Sequence, residues 1–104
     1  MVKYIESVEE FINIKKSEKL VVIDFTAKWC GPCKAIAPKF EEYAEKFGDK
    51  VECYKLDVDD QEEIAIDCAI SAMPTFQFYK NGVKVDEFVG ASSERLKEKI
   101  MKLL

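Results

Sequence analysis

Leu20-Val21-Val22-Ile23-Asp24-Phe25-Thr26-Ala27-Lys28-Trp29-Cys30-Gly31-Pro32-Cys33 decides the reading of this chain. Its first half is a nearly continuous β-branched and apolar run, the pattern of a strand buried on both faces of a parallel sheet. Its second half holds two thiols three positions apart around a rigid Gly-Pro pair, and an amphipathic segment follows at once. A thiol at the first turn of a helix meets the positive end of the helix dipole and unpaired backbone N–H groups. Both favour the thiolate, which is the nucleophile. The stretch therefore predicts a dithiol at a strand-to-helix turn, able to open a disulfide in another molecule and close one of its own.

Working outward, Ile36, Ala37, Phe40, Tyr43, Ala44 and Phe47 recur at helical spacing and predict a helix over 33–47. Pro38 should kink it, and Gly48 sits where a left-handed C-terminal cap is expected. Upstream, Ser7-Val8-Glu9-Glu10 is a capping box. It opens a short amphipathic helix to about Lys16, with Val8, Phe11 and Ile12 on its apolar side and cations at its end. Residues 51–58 read as a second central strand. Asp59, Asp60, Glu62 and Glu63 then form the acidic first turn of a short helix through Asp67. Residues 75–80 and 83–89 are strands joined by Asn81-Gly82, a strong hairpin signal. Ser92, Ser93 and Glu94 open a last helix with Leu96, Ile100, Leu103 and Leu104 on its apolar side. The order βαβαβαββα predicts an α/β fold with a mixed sheet, parallel first, then an antiparallel hairpin at one edge, with helices on both faces. At 104 residues the chain reads as one domain, 1–104.

Hydrophobic residues make up 48% and charged residues 35%, as in ordinary globular proteins. The net charge of −4, from 16 basic and 20 acidic residues of interspersed sign, excludes the clustered basic footprint of a nucleic-acid binder. No run approaches the roughly 18 apolar residues of a membrane span. The start, Met1-Val2-Lys3-Tyr4-Ile5-Glu6, has no apolar core of a secretory signal, and an initiator-like Met1 suggests an untrimmed chain. The expectation is a cytoplasmic protein. In that compartment four cysteines point to redox or metal chemistry rather than to a disulfide framework.

Cys-x-x-Cys is also half of a zinc site, but the chain has no histidine, and Cys53 and Cys68 are not paired at short spacing, so no metal is expected. Asp24 interrupts an apolar strand, shares a face with Val22 and Thr26, and should be a buried carboxyl of raised pKa. Lys55, in the neighbouring strand, could supply its counter-charge. Cys53 reads as a small core residue. Cys68 ends a helix near the predicted binding face and is expected to be an inert, half-buried thiol. Its alternative is a regulatory thiol open to oxidation, glutathionylation or an intermolecular disulfide.

Asp24-Phe25-Thr26-Ala27-Lys28-Trp29-Cys30-Gly31-Pro32-Cys33-Lys34, Lys55-Leu56-Asp57-Val58-Asp59, Met73-Pro74-Thr75-Phe76 and Phe88-Val89-Gly90-Ala91 together resemble the thioredoxin family. The likeness spans the whole chain and is nearest to the small single-domain cytosolic, eukaryotic-like members. It implies the thioredoxin fold, a central mixed five-stranded sheet flanked by four helices. It implies a general protein-disulfide reductant and electron carrier. Cys30, at the exposed tip of the turn, would attack the substrate disulfide. Cys33, shielded behind it, would resolve the mixed disulfide and leave Cys30–Cys33 oxidised. The resemblance further assigns proton transfer with Cys33 to Asp24, a buried position to Lys55, and a reducing potential to Gly31-Pro32.

It also makes Pro74 a cis-proline beside the dithiol, leaving Met73 backbone groups facing an incoming peptide. Trp29, Ala72, Met73, Pro74, Gly90 and Ala91 would form a shallow apolar rim for it, the other reading of Trp29 being core packing. The implied partners are thioredoxin reductase and disulfide-containing proteins such as peroxiredoxins and ribonucleotide reductase. No cofactor would be bound, since NADPH and flavin enter only through the reductase, and the protein would be a monomer without nucleic acid or membrane. Two other readings stay open. One is a disulfide isomerase or oxidase domain, against which proline rather than histidine at 32 counts. The other is a binding module that uses the fold as a processivity or scaffold subunit.

Overall fold

In the computed structural model, which describes residues 2–104, the chain alternates strands and helices in the expected order. Met1, the start of the N-terminal stretch read above, lies outside the described residues. The elements are β1 (Lys3–Tyr4), α1 (Val8–Lys15), β2 (Leu20–Thr26), α2 (Gly31–Phe47), β3 (Val51–Asp57), α3 (Glu62–Asp67), β4 (Thr75–Lys80), β5 (Val83–Val89) and α4 (Ser93–Leu103). The sheet order is β1-β3-β2-β4-β5. β3 pairs in parallel with β1 and β2, whereas β4 runs antiparallel to both β2 and β5. The predicted mixed sheet with an antiparallel hairpin at one edge is therefore the observed one.

β2 lies at the centre of the sheet, and all seven of its residues are buried. Alternation sends its side chains to two different cores. Leu20 and Val22 join Ile36, Phe40, Phe76, Phe88, Leu96 and Ile100 under α2 and α4. Val21, Ile23 and Phe25 join Phe11, Leu56, Ile64 and Tyr79 on the α1 and α3 side. In the first core Phe76 stacks on Phe88 at 5.2 Å between centroids and takes Phe40 edge-on at 5.5 Å. Truncating such a ring would cost about 3–5 kcal/mol. By the same alternation Asp24 falls on the α2 side, so a carboxyl is carried into an apolar core by strand geometry alone.

Several boundaries differ from the reading of the sequence. α2 begins at Gly31, two residues before the expected start, because Gly31 and Pro32 themselves take the first helical positions, where a missing N–H costs nothing. Gly48 caps α2 as expected, at φ +48° with its amide donating to the Ala44 carbonyl, but its ψ of −118° departs from the left-handed helical value, and it opens a 3₁₀ turn that leads directly into β3. β3 stops at Asp57, whose side chain accepts the amides of Asp59 and Asp60 and turns the chain out of the sheet. Val8, Ile12 and Leu104 remain substantially exposed, which leaves Phe11 as the anchor of α1.

Candidate functional site

Thr26 ends β2 at the rim of the sheet, and Lys28 and Trp29 carry the chain over that rim into α2. Cys30 is the N-cap of the helix: its Sγ accepts the Cys33 amide at 3.2 Å and its carbonyl accepts the Lys34 amide. A cap normally filled by a Ser or Asp oxygen is thus filled by sulfur, at the positive end of a 17-residue helix. Cys30 and Cys33 are joined as a disulfide, with their Cα atoms 5.3 Å apart.

The expected exposure of Cys30 needs correction. The residues around it are open, with Trp29 68% exposed, but Cys30 itself is 5% and Cys33 3% exposed. In the oxidised pair the Cys30 sulfur turns inward, 3.7 Å from the Met73 carbonyl oxygen, and packs with Ala27, Cys33 and Met73. Met73 is therefore brought against the dithiol. The Met73–Pro74 peptide is cis, and the Pro74 carbonyl accepts the Gly90 amide at 2.9 Å, which ties the start of β4 to the end of β5. Gly90 has φ +118°, and a Cβ built on it would meet nothing within 4 Å. The glycine is required by the backbone rather than by crowding. Ala72 and Ala91 are exposed beside these two residues.

Trp29 is not a core residue. Its Nε1 donates to Asp59 Oδ2 at 2.9 Å, which fixes the indole across the loop after β3. Asp59 is a site residue that the sequence reading missed, because it was assigned to the acidic turn of α3, whereas that helix starts at Glu62. The available signal was its position just past a strand parallel and adjacent to β2, which delivers it to the same end of the sheet.

Asp24 is 1% exposed, and neither carboxyl oxygen has a hydrogen-bond partner among the described residues. Burial raises its pKa from 3.8 to about 7, and the positive charge of Lys55 pulls in the opposite direction. Lys55 pairs with Asp24 in register across β2 and β3. It is half-buried rather than buried, because β1 covers it with only two residues. Its side chain and that of Cys33 both line a cleft of about 300 Å³.

The other two cysteines are free. Cys53 is half-buried against the α2 side of the core, and burial, aided by Glu41, pushes its thiol up to about 12. Cys68, placed near the binding face by the sequence reading, sits elsewhere. It packs beside Tyr79 and Lys15 on the α1 side of the sheet, and burial raises its pKa. Tyr79 lies near the far end of β4 from Thr75, so Cys68 is not part of the rim around the dithiol.

Among the described residues no cluster of three or more Cys, Asp or Glu side chains is arranged to hold a metal, and no helix is long and apolar enough to cross a membrane. The arrangement is an exchangeable disulfide at a helix N-terminus, with a buried carboxyl in the strand before it and a small, partly apolar surface around it.

The family model described as Thioredoxin matches residues 3–102. A chicken thioredoxin is 51% identical over the full length of both chains. The solved thioredoxin of Malassezia sympodialis superposes with a TM-score of 0.93 at 48% identity, covering 98% of this chain and 90% of that one. A yeast structure concerned with thiol resolution in a mitochondrial 1-Cys peroxiredoxin via glutathione and thioredoxin systems has a TM-score of 0.91 at 34% identity, covering 97% and 94%.

Proposed function

The chain belongs to the thioredoxin family, and from that premise we propose how its residues divide the work of disulfide reduction. It is a dithiol–disulfide oxidoreductase, a general protein-disulfide reductant with a redox-active Cys30–Cys33 pair. In the reduced protein the Cys30 thiolate attacks a substrate disulfide. One Cys30–substrate S–S bond forms as the substrate S–S bond breaks, and the displaced sulfur leaves as a thiolate. Cys33 then loses its proton and attacks the Cys30 sulfur. This closes the intramolecular disulfide and releases the second substrate thiol, so two electrons have passed to the substrate.

Each step has a group suited to it. The helix N-terminus and its amides favour negative charge on Cys30. Asp24, with a pKa near 7, is poised to take the Cys33 proton at neutral pH. Lys55 adjusts that carboxyl, and Gly31 and Pro32 restrict the turn between the thiols. The substrate peptide lies along Met73 as an added strand, bordered by Trp29, Ala72, Pro74, Gly90 and Ala91. Asp59 keeps the indole in place.

The oxidised pair is returned to the dithiol by a thioredoxin reductase that brings NADPH and flavin. Peroxiredoxins and ribonucleotide reductase are the expected substrates, the first supported by the yeast structure. The working form is a cytoplasmic monomer.

The observation that carries this reading is the disulfide at the N-cap of α2. An insulin-turbidity assay tests it. The wild type should precipitate insulin chains with dithiothreitol as donor, Cys30→Ser should be inactive, and Cys33→Ser should accumulate mixed disulfide without turnover. Activity that survives Cys30→Ser would overturn the assignment.

A further inference from the structure

Tyr4, Lys55 and Asp24 stand in one row across the sheet. Tyr4 pairs with Lys55 between β1 and β3, and Lys55 pairs with Asp24 between β3 and β2. Residues in register project to the same face, here the one covered by α2. The Lys55 ammonium lies 5.9 Å from the centroid of the Tyr4 ring, while the Asp24 carboxyl has no hydrogen-bond or ion-pair partner among the described residues. The ammonium thus leans toward an aromatic face instead of closing on the carboxyl. Bringing both charges out of water would cost more than an imperfect pair returns.

Tyr4 is also a partition. Together with Lys28 it lines two neighbouring clefts, one of about 300 Å³ that contains Cys33 and Lys55, and one of about 260 Å³ that contains Asp57 and Asp60. We propose that Tyr4 is a positioning residue for the proton step at Cys33, its ring holding the Lys55 ammonium off Asp24 and standing between the cleft behind Cys33 and the one beside it. This rests on the assignment of Asp24 to that step.

The charged and titratable groups along this row and cleft are Lys55 from β3, Tyr4 from β1, Cys33 and Lys34 from α2, and Lys28 from the loop before it. β4 brings only Phe76 to this register, and α4 adds apolar Leu96 and Ile100 to the same core. Asp57, two residues along β3, is occupied by the amides of its own turn. Removing the ring joins the clefts and frees Lys55 to approach Asp24, which favours the ionised carboxyl.

The test is a ¹³C-carboxyl NMR titration of Asp24 in the oxidised protein, paired with the pH profile of mixed-disulfide resolution. Tyr4→Ala should lower both midpoints by about 0.5 pH unit or more. Tyr4→Phe, which keeps the ring, should match the wild type, and Lys55→Met should raise both midpoints. Tyr4 is 47% exposed on a two-residue edge strand, so these variants are expected to fold. An unmoved NMR midpoint in Tyr4→Ala, or an equal shift in Tyr4→Phe, overturns the role of the ring. If the NMR midpoint moves while the kinetic profile stays fixed, the assignment of Asp24 to the thiol step fails, and the role of Tyr4 in catalysis falls with it.

Discussion

Below its ordinary pKa of 3.8, the Asp24 carboxyl carries a proton in the folded and unfolded states alike, and its burial is neutral to pH. Between 3.8 and about 7 the folded protein holds a proton that the unfolded chain has released, so stability falls as pH rises. Above about 7 the full penalty is present, on the order of 4 kcal/mol. Asp24→Asn removes it. The variant should gain stability over the wild type by up to about 4 kcal/mol at pH 8 and by almost nothing below pH 4, as read from urea midpoints across that range. The same variant should resolve mixed disulfides slowly near neutral pH; an unchanged rate would free Asp24 from the mechanism. Gly90 offers a second test at this scale. With φ +118° and open space where a Cβ would stand, Gly90→Ala is strained but not crowded. It should lose about 1–3 kcal/mol of stability and raise KM for a protein disulfide more than it lowers kcat. A wild-type denaturation midpoint would show that the turn relaxes without cost.

Among the elements, the β4–β5 hairpin is the most fully specified by local chemistry. Asn81 at φ 55° and Gly82 at φ 85° form the left-handed two-residue turn that the right-handed twist of the strands prefers. The Asn81 and Gly82 amides also donate to Ser17 and Lys15, tying the turn to the end of α1. Gly82→Ala should therefore destabilise the protein by about 1 kcal/mol while leaving insulin reduction unchanged, because the turn lies at the opposite end of the sheet from the dithiol. A drop in activity at full folding would contradict that separation.

Strong local signals of this kind explain why β2, β4 and β5 were legible to the residue. β1 carried none: Lys3 and Tyr4 are exposed and acquire strand geometry only through pairing with β3. The start of α2 was displaced because Gly and Pro are poor helix formers in the interior, yet Pro is favourable in the first turn. Within the site, Cys30, Cys33 and Asp24 were visible because sulfur spacing and a lone acid in an apolar run are contrasts against background. Asp59 and the true surroundings of Cys68 were not, since each depends on which strand ends share a rim.

For the molecule as a whole, stability is concentrated at the middle of the sheet. β2 is buried throughout and pairs on both sides, whereas β1 and β5 each have a free edge. Native-state hydrogen exchange should find its slowest amides in residues 21–25, opening only with global unfolding, and faster exchange in β1 and along β5. Equal protection in β5 and β2 would argue against a core organised on the central strand. The dithiol follows this central strand directly, through Thr26, whereas Met73 and Gly90 lie just before β4 and just after β5.

The chain has a single tryptophan, and it stands next to Cys30 in sequence with its indole largely in solvent. A disulfide is an efficient quencher of indole emission, and a dithiol is much less so. The light emitted by Trp29 should therefore brighten on reduction and dim on oxidation, reporting the redox state of each molecule without a label. The exposed indole beside the dithiol is thus also a built-in optical gauge of every turnover.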